Sequence, residues 1–114
     1  MELSEFYTSI GSDFDEVAAR LESTALIARL VGKFAEDPSF SELERSLAAG
    51  EVEPAFRAAH TLKGISANLG FSGLYKSASA LTELLRTGSL DGAAPLFGEV
   101  KAEYEKILSG IAAL

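Results

Sequence analysis

The chain has 114 residues, with 17 acidic against 10 basic side chains, a formal net charge of −7, one histidine and no cysteine. That length fits one domain around one hydrophobic core and is too short for a catalytic domain plus a regulatory one, while the acidic balance argues against nucleic acid and anionic membrane surfaces as partners. The missing cysteines exclude disulfides, thiolate chemistry and cysteine-ligated metals, and a single histidine rules out a multi-histidine metal site.

Leu3, Phe6, Tyr7 and Ile10 recur at helical spacing, and Gly11 follows where a left-handed stop is wanted, which predicts a short N-terminal helix. Ser12 or Asp13 is placed to cap a second short helix, with Glu16 completing a capping box and Phe14, Val17 and Leu21 forming its stripe. Ser23 or Thr24 restarts the pattern, and Leu26, Ile27, Leu30, Val31 and Phe34 give a wide apolar face that Asp37-Pro38 breaks. Ser39 with Glu42 repeats the capping-box spacing ahead of Phe40, Leu43 and Leu47, and Gly50 ends that helix. Pro54 suits the first helical position of a segment that runs to Gly70, with Gly64 as its interior breaker. Ser72 is placed to cap the next helix, which carries Leu74, Ala78, Leu81 and Leu85 and closes at Gly88. The last helix begins near Asp91, holds Pro95 early, and carries Leu96, Phe97, Val100, Tyr104, Ile107 and Ile111 at three- and four-residue steps.

No alternating run rich in β-branched residues is present, so the fold class is all-α. Four long helices joined by short loops pack most simply as an antiparallel up-and-down four-helix bundle over residues 23–114, with residues 1–22 as an N-terminal helical extension of the same single domain. Met1 to Glu5 lack the basic start and apolar run of a signal peptide, and no apolar stretch approaches about 18 residues, so a cytoplasmic location is expected.

On the helix from Pro54, a rotation of about 100° per residue puts Ala55, Ala58, Leu62, Ile65 and Leu69 on the core face. His60 lies opposite, with Phe56, Arg57, Lys63, Gly64 and Ala67. An exposed histidine alone is usually a solvated residue without a task, but these neighbours shift that weighting. Lys63 stands at i+3, in reach of an anion carried on the imidazole. Gly64 stands at i+4 inside a helix, where glycine costs on the order of 1 kcal/mol relative to alanine. Bare backbone beside a histidine leaves room for a second protein to reach the ring, and a neutral imidazole nitrogen is a nucleophile without help from a general base. Phosphoryl transfer suits this set, with the lysine offsetting the charge of the transferred group. Phe56 is either a rim residue of the core or part of an apolar docking patch; Arg57 reads as a solvated charge, and Asn68 with Gly70 as a helix end.

The run Ala59-His60-Thr61-Leu62-Lys63-Gly64, continued by Ile65-Ser66-Ala67-Asn68-Leu69-Gly70, resembles the signature of histidine-containing phosphotransfer (HPt) domains. The resemblance is close from Pro54 to Gly70 and holds in pattern to Arg86. It implies that His60 is the phosphorylated histidine, Lys63 the phosphate-pairing lysine and Gly64 the docking glycine. Phe56 and Ala67, on the same face, are candidate receiver-docking residues beside it. Many members carry a glutamine or acidic residue on the next helix that hydrogen-bonds the imidazole. Thr82 occupies that position here, and Ser79, one turn earlier, is placed to share the role.

The resemblance further implies a monomeric phosphocarrier without cofactor, metal or kinase site of its own. Its partners would be response-regulator receiver domains, with a hybrid sensor kinase among the donors, because the receiver supplies the Mg²⁺ and the acidic pocket. Two other readings compete. One is the phosphoacceptor module of a chemotaxis-type kinase, which would have to be phosphorylated in trans because no Gly-rich phosphate loop is present. The other is a binding-only bundle, which leaves the coincidence of His60, Lys63 and Gly64 on one face unexplained. Hydrolase activity ranks lowest, since Ser66 projects away from His60 and no orienting carboxylate is indicated.

Overall fold

The computed structural model describes residues 1–114 and contains seven helices and no strand. They are α1 (Leu3–Ser9), α2 (Phe14–Leu21), α3 (Thr24–Phe34), α4 (Ser39–Ala48), α5 (Val52–Leu69), α6 (Ser72–Arg86) and α7 (Ala93–Ala112). Asp13 caps α2 by accepting the backbone N–H groups of Asp15 and Glu16, and Ser23 caps α3 by accepting that of Leu26.

Two expected caps are corrected. Ser39 does not cap α4 but is its first residue, and the Asp37 carboxylate accepts its N–H at 2.8 Å. Ser72 is likewise the first residue of α6, and its N–H is taken at 3.1 Å by the hydroxyl of Ser12, reaching across from the α1–α2 loop. The starts of α5 and α7 also differ, so that Pro54 and Pro95 are both third helical residues. The first four N–H groups of a helix have no intrahelical partner, so neither ring removes a bond.

α4, α5, α6 and α7 follow one another through short loops, and α5 packs between α4 and α6 while α6 packs on α7. Residues 23–114 hold five helices, because Asp37-Pro38 breaks one side of the bundle into α3 and α4. The two pieces meet α7 at the same side chain. Tyr104 lies against Phe34 of α3, ring centroids 5.7 Å apart, and stacks on Phe40 of α4 at 4.0 Å with planes 5° from parallel. Phe97 covers the other side of Phe40 at 5.5 Å, which closes the bundle between α4 and α7.

α1 and α2 seal the end of the bundle at the α5–α6 turn. Phe6 and Tyr7 are fully buried and belong to the same hydrophobic cluster as the bundle core. Their rings lie 6.0 and 5.8 Å from that of Phe71, which Phe34 approaches to 5.1 Å. The Tyr7 hydroxyl donates to the Leu69 carbonyl at 2.6 Å, and the Arg20 guanidinium donates to the carbonyls of Asn68 and Ala67, satisfying the orphan acceptors at the end of α5. Gly70 makes this junction possible: its φ is +71°, and an added Cβ would overlap the Val17 side chain. No helix is long and apolar enough to cross a membrane.

Candidate functional site

α5 buries Ala55, Ala58, Ala59, Leu62, Ser66 and Leu69. This arc is wider than the periodicity suggests and is rotated from it, leaving Ile65 half-buried, because α4 and α6 cover the helix from two sides. Ser66 is occupied within the core, its hydroxyl donating to the Leu62 carbonyl at 2.7 Å. The opposite face carries the residues singled out by sequence. His60, Arg57, Gly64 and Ala67 are exposed, and Phe56 and Lys63 are half-buried.

Beside His60 the backbone is bare. A Cβ added at Gly64 would meet nothing within 4 Å, so the glycine answers no packing demand inside the chain. Arg57 pairs with Glu53 at 2.7 Å, one turn back, and both side chains are largely exposed, so the pair contributes little. Lys63 enters no ion pair, and neither does Lys76 on α6. Both lysines line an open groove of about 620 Å³ between α2, α5 and α6, together with Glu16, Ala67, Tyr75 and Ser79. Two uncommitted ammonium groups thus face one groove of a chain whose net charge is −7.

Thr82 is fully buried and its hydroxyl donates to the Ala78 carbonyl at 2.7 Å. The Ser79 hydroxyl is buried and has no hydrogen-bond partner. Neither bonds the His60 ring, and no hydrogen bond from elsewhere in the chain does so. The ring instead lies against Phe56, centroids 5.9 Å apart and planes 28° from parallel.

The residue that sequence reasoning missed is Arg86, at the end of α6. Its Cζ sits 5.0 Å from the centroid of the Phe56 ring, and its guanidinium pairs with Glu83 at 3.3 Å. A signal for it exists in the spacing. Phe56 is fourteen residues before Gly70 and Arg86 sixteen after it, so antiparallel pairing about that turn brings the two level.

No group of three or more histidine, cysteine, aspartate or glutamate side chains converges to hold a metal ion. The arrangement offers one solvent-facing nucleophilic ring, a lysine one turn away, and open backbone for a second protein's approach. No curated protein and no solved structure matches the chain at a significant level. The profile of one protein family, the Hpt domain, matches residues 25–110, a span that covers the bundle except for the first residue of α3 and the last two of α7, and that contains every residue of the site. The chain belongs to the Hpt domain family.

Proposed function

We propose that this protein carries a phosphoryl group on His60 between the aspartates of receiver domains in a two-component phosphorelay. Hpt domains are phosphocarrier modules of histidine phosphotransfer that work with receiver domains and kinases and have no kinase site of their own. The observation that carries the assignment to His60 is its surroundings. The chain's single histidine is exposed on α5, with an unpaired Lys63 at i+3 and an open Gly64 at i+4.

In this reading a receiver docks across the outer face of α5, over Gly64, Ala67 and Phe56. A ring nitrogen attacks the aspartyl phosphate, the P–O bond to the aspartate breaks, and the carboxylate leaves; the return step onto a second receiver reverses these bonds. Negative charge spread over the equatorial oxygens of the transferring phosphoryl group is stabilised by positioned cations. Lys63 supplies one on the carrier side, and the Mg²⁺ belongs to the receiver. The protein acts as a monomer, and because such relays draw on ATP, its proposed setting is the cytoplasm.

The test is to incubate the pure protein with a panel of phosphorylated receiver domains, a hybrid sensor kinase's among them, and follow label onto the chain. Label is expected on the wild type, unstable in mild acid and stable in base as a phosphoramidate is, and absent from His60→Gln. That variant should keep nearly all of its thermal stability, because His60 is exposed, its side chain makes no hydrogen bond, and the contact it loses is its stack on Phe56. Label elsewhere in the variant sinks the assignment. Labelling by a kinase's ATP-binding domain but by no receiver selects the kinase-module reading instead.

A further inference from the structure

His60 poses a physical problem that its own hydrogen bonds do not solve. The terminal torsion of a histidine side chain is broad, so an exposed imidazole samples many planes unless something holds it. In-line attack on phosphorus needs the ring nitrogen aimed, and orientation of a reacting group is a large part of any rate advantage. The α6 hydroxyls do not aim it: Thr82 is buried and committed to Ala78, and Ser79 bonds nothing.

We infer that Phe56, backed by Arg86, is the positioning residue for His60: a stacked column fixes the plane of the imidazole where a hydrogen bond is missing. The column has three steps. Glu83 pairs with the Arg86 guanidinium at 3.3 Å, through both Nε and Nη2. Arg86 lies 5.0 Å from the Phe56 centroid, inside the range of a cation–π contact. Phe56 lies 5.9 Å from the His60 ring at 28°, an offset stack between residues one helical turn apart. α5 contributes the two rings and the end of α6 the cation, so the column forms only when the helices are in register.

The stack has a chemical advantage over a hydrogen bond. A donor or acceptor on α6 would engage one ring nitrogen and bias the tautomer. An aromatic face holds the plane and leaves both nitrogens free, one to take the phosphoryl group and the other to carry the proton. The inference rests on His60 as phosphoacceptor for its purpose, though not for the existence of the stack.

Because His60 is the only histidine, its ring signals in NMR spectra of the full chain are unambiguous. Phosphoramidate serves as a small donor that needs no docking: the ring nitrogen bonds phosphorus, the P–N bond breaks and ammonia leaves. In the wild type the His60 ring protons should show the ring-current shift of a neighbouring aromatic. Phe56→Leu, which keeps apolar bulk, should move them toward free histidine and slow phosphoramidate labelling about two- to tenfold, the worth of one aromatic pair. Phe56→Tyr should restore both, Arg86→Met should give a smaller change of the same sign, and Thr82→Val should leave both unmoved.

The inference is overturned if Phe56→Leu leaves the ring signals unchanged, if the signals move but the labelling rate does not, or if Thr82→Val matches Phe56→Leu. Failure of the underlying assignment looks different. Label would then be absent from His60 in the wild type, while the ring signals would still report whether the stack exists.

Discussion

Lys63 is half-buried, one turn from His60 and free of any ion pair, so its charge is uncommitted until an anion arrives. A phosphoryl group brings nearly two negative charges, and charge-assisted contacts are about twice as strong as neutral ones. Lys63→Ala is therefore expected to slow acceptance about tenfold or less and to shorten the life of the phosphorylated form without abolishing labelling, since the lysine makes no covalent bond. The deficit should shrink at high salt, where screening reduces what the wild-type charge contributes. Equal time courses for wild type and variant at low ionic strength would remove Lys63 from the mechanism. At this scale the sequence was informative where a residue's role depends on its own helix. His60, Lys63 and Gly64 share a face by rotation alone, and the structure puts them there. Whether Thr82 could orient the ring depends on how α5 and α6 pack, which helical periodicity does not contain; the packing buries it. The contact between Phe56 and Arg86 was hidden for the same reason.

α5 presents the site, and its interior glycine separates stability from function. Gly64 has ordinary helical backbone and open space around it, so Gly64→Ala should stabilise the protein by up to about 1 kcal/mol through helix propensity and a less disordered unfolded chain. Gly64→Gln should fold as well as wild type, yet its side chain would stand beside His60 where a receiver must approach. Transfer from phosphorylated receivers should then fall steeply while phosphoramidate labelling persists, which isolates docking from chemistry. Receiver transfer by Gly64→Gln at the wild-type rate would show that the glycine has no docking role. Helix existence and order were readable because each segment carries its own stripe and stop. Helix starts were less readable where the cap comes from elsewhere in the chain. The hydroxyl that satisfies Ser72 belongs to Ser12, sixty residues away, whereas Ser39 is satisfied locally by the carboxylate of Asp37, two residues before it, so there only the choice between two neighbouring cap candidates was missed.

Across the whole molecule, the N-terminal helices are tied to the bundle by a polar contact inside an apolar environment, and alkaline pH can test that tie. Tyr7 is fully buried among Phe6, Phe14 and Phe71 and donates to the Leu69 carbonyl. Burial raises its phenol from 10.0 to about 12, with the Arg20 guanidinium pulling modestly the other way. Below pH 10 both folded and unfolded chains keep this proton, and the contribution is constant. Between about pH 10 and 12 the unfolded chain releases it while the native state holds it, so stability falls as pH rises, by about 1.4 kcal/mol per pH unit at most. Tyr104, raised by burial and by the Asp37 carboxylate, adds to the loss in the same direction. Tyr7→Phe should cost about 1–2 kcal/mol at neutral pH, because a buried carbonyl at the end of α5 loses its donor. The variant has no phenol at this position to ionise, so its alkaline decline should be shallower, and the two stabilities should converge between pH 10 and 12. Urea unfolding of both proteins at pH 7, 9 and 11 measures this. A gap that stays constant across the series would mean that Tyr7 ionises in the folded protein as it does in water, and that α1 does not bury it in the bundle.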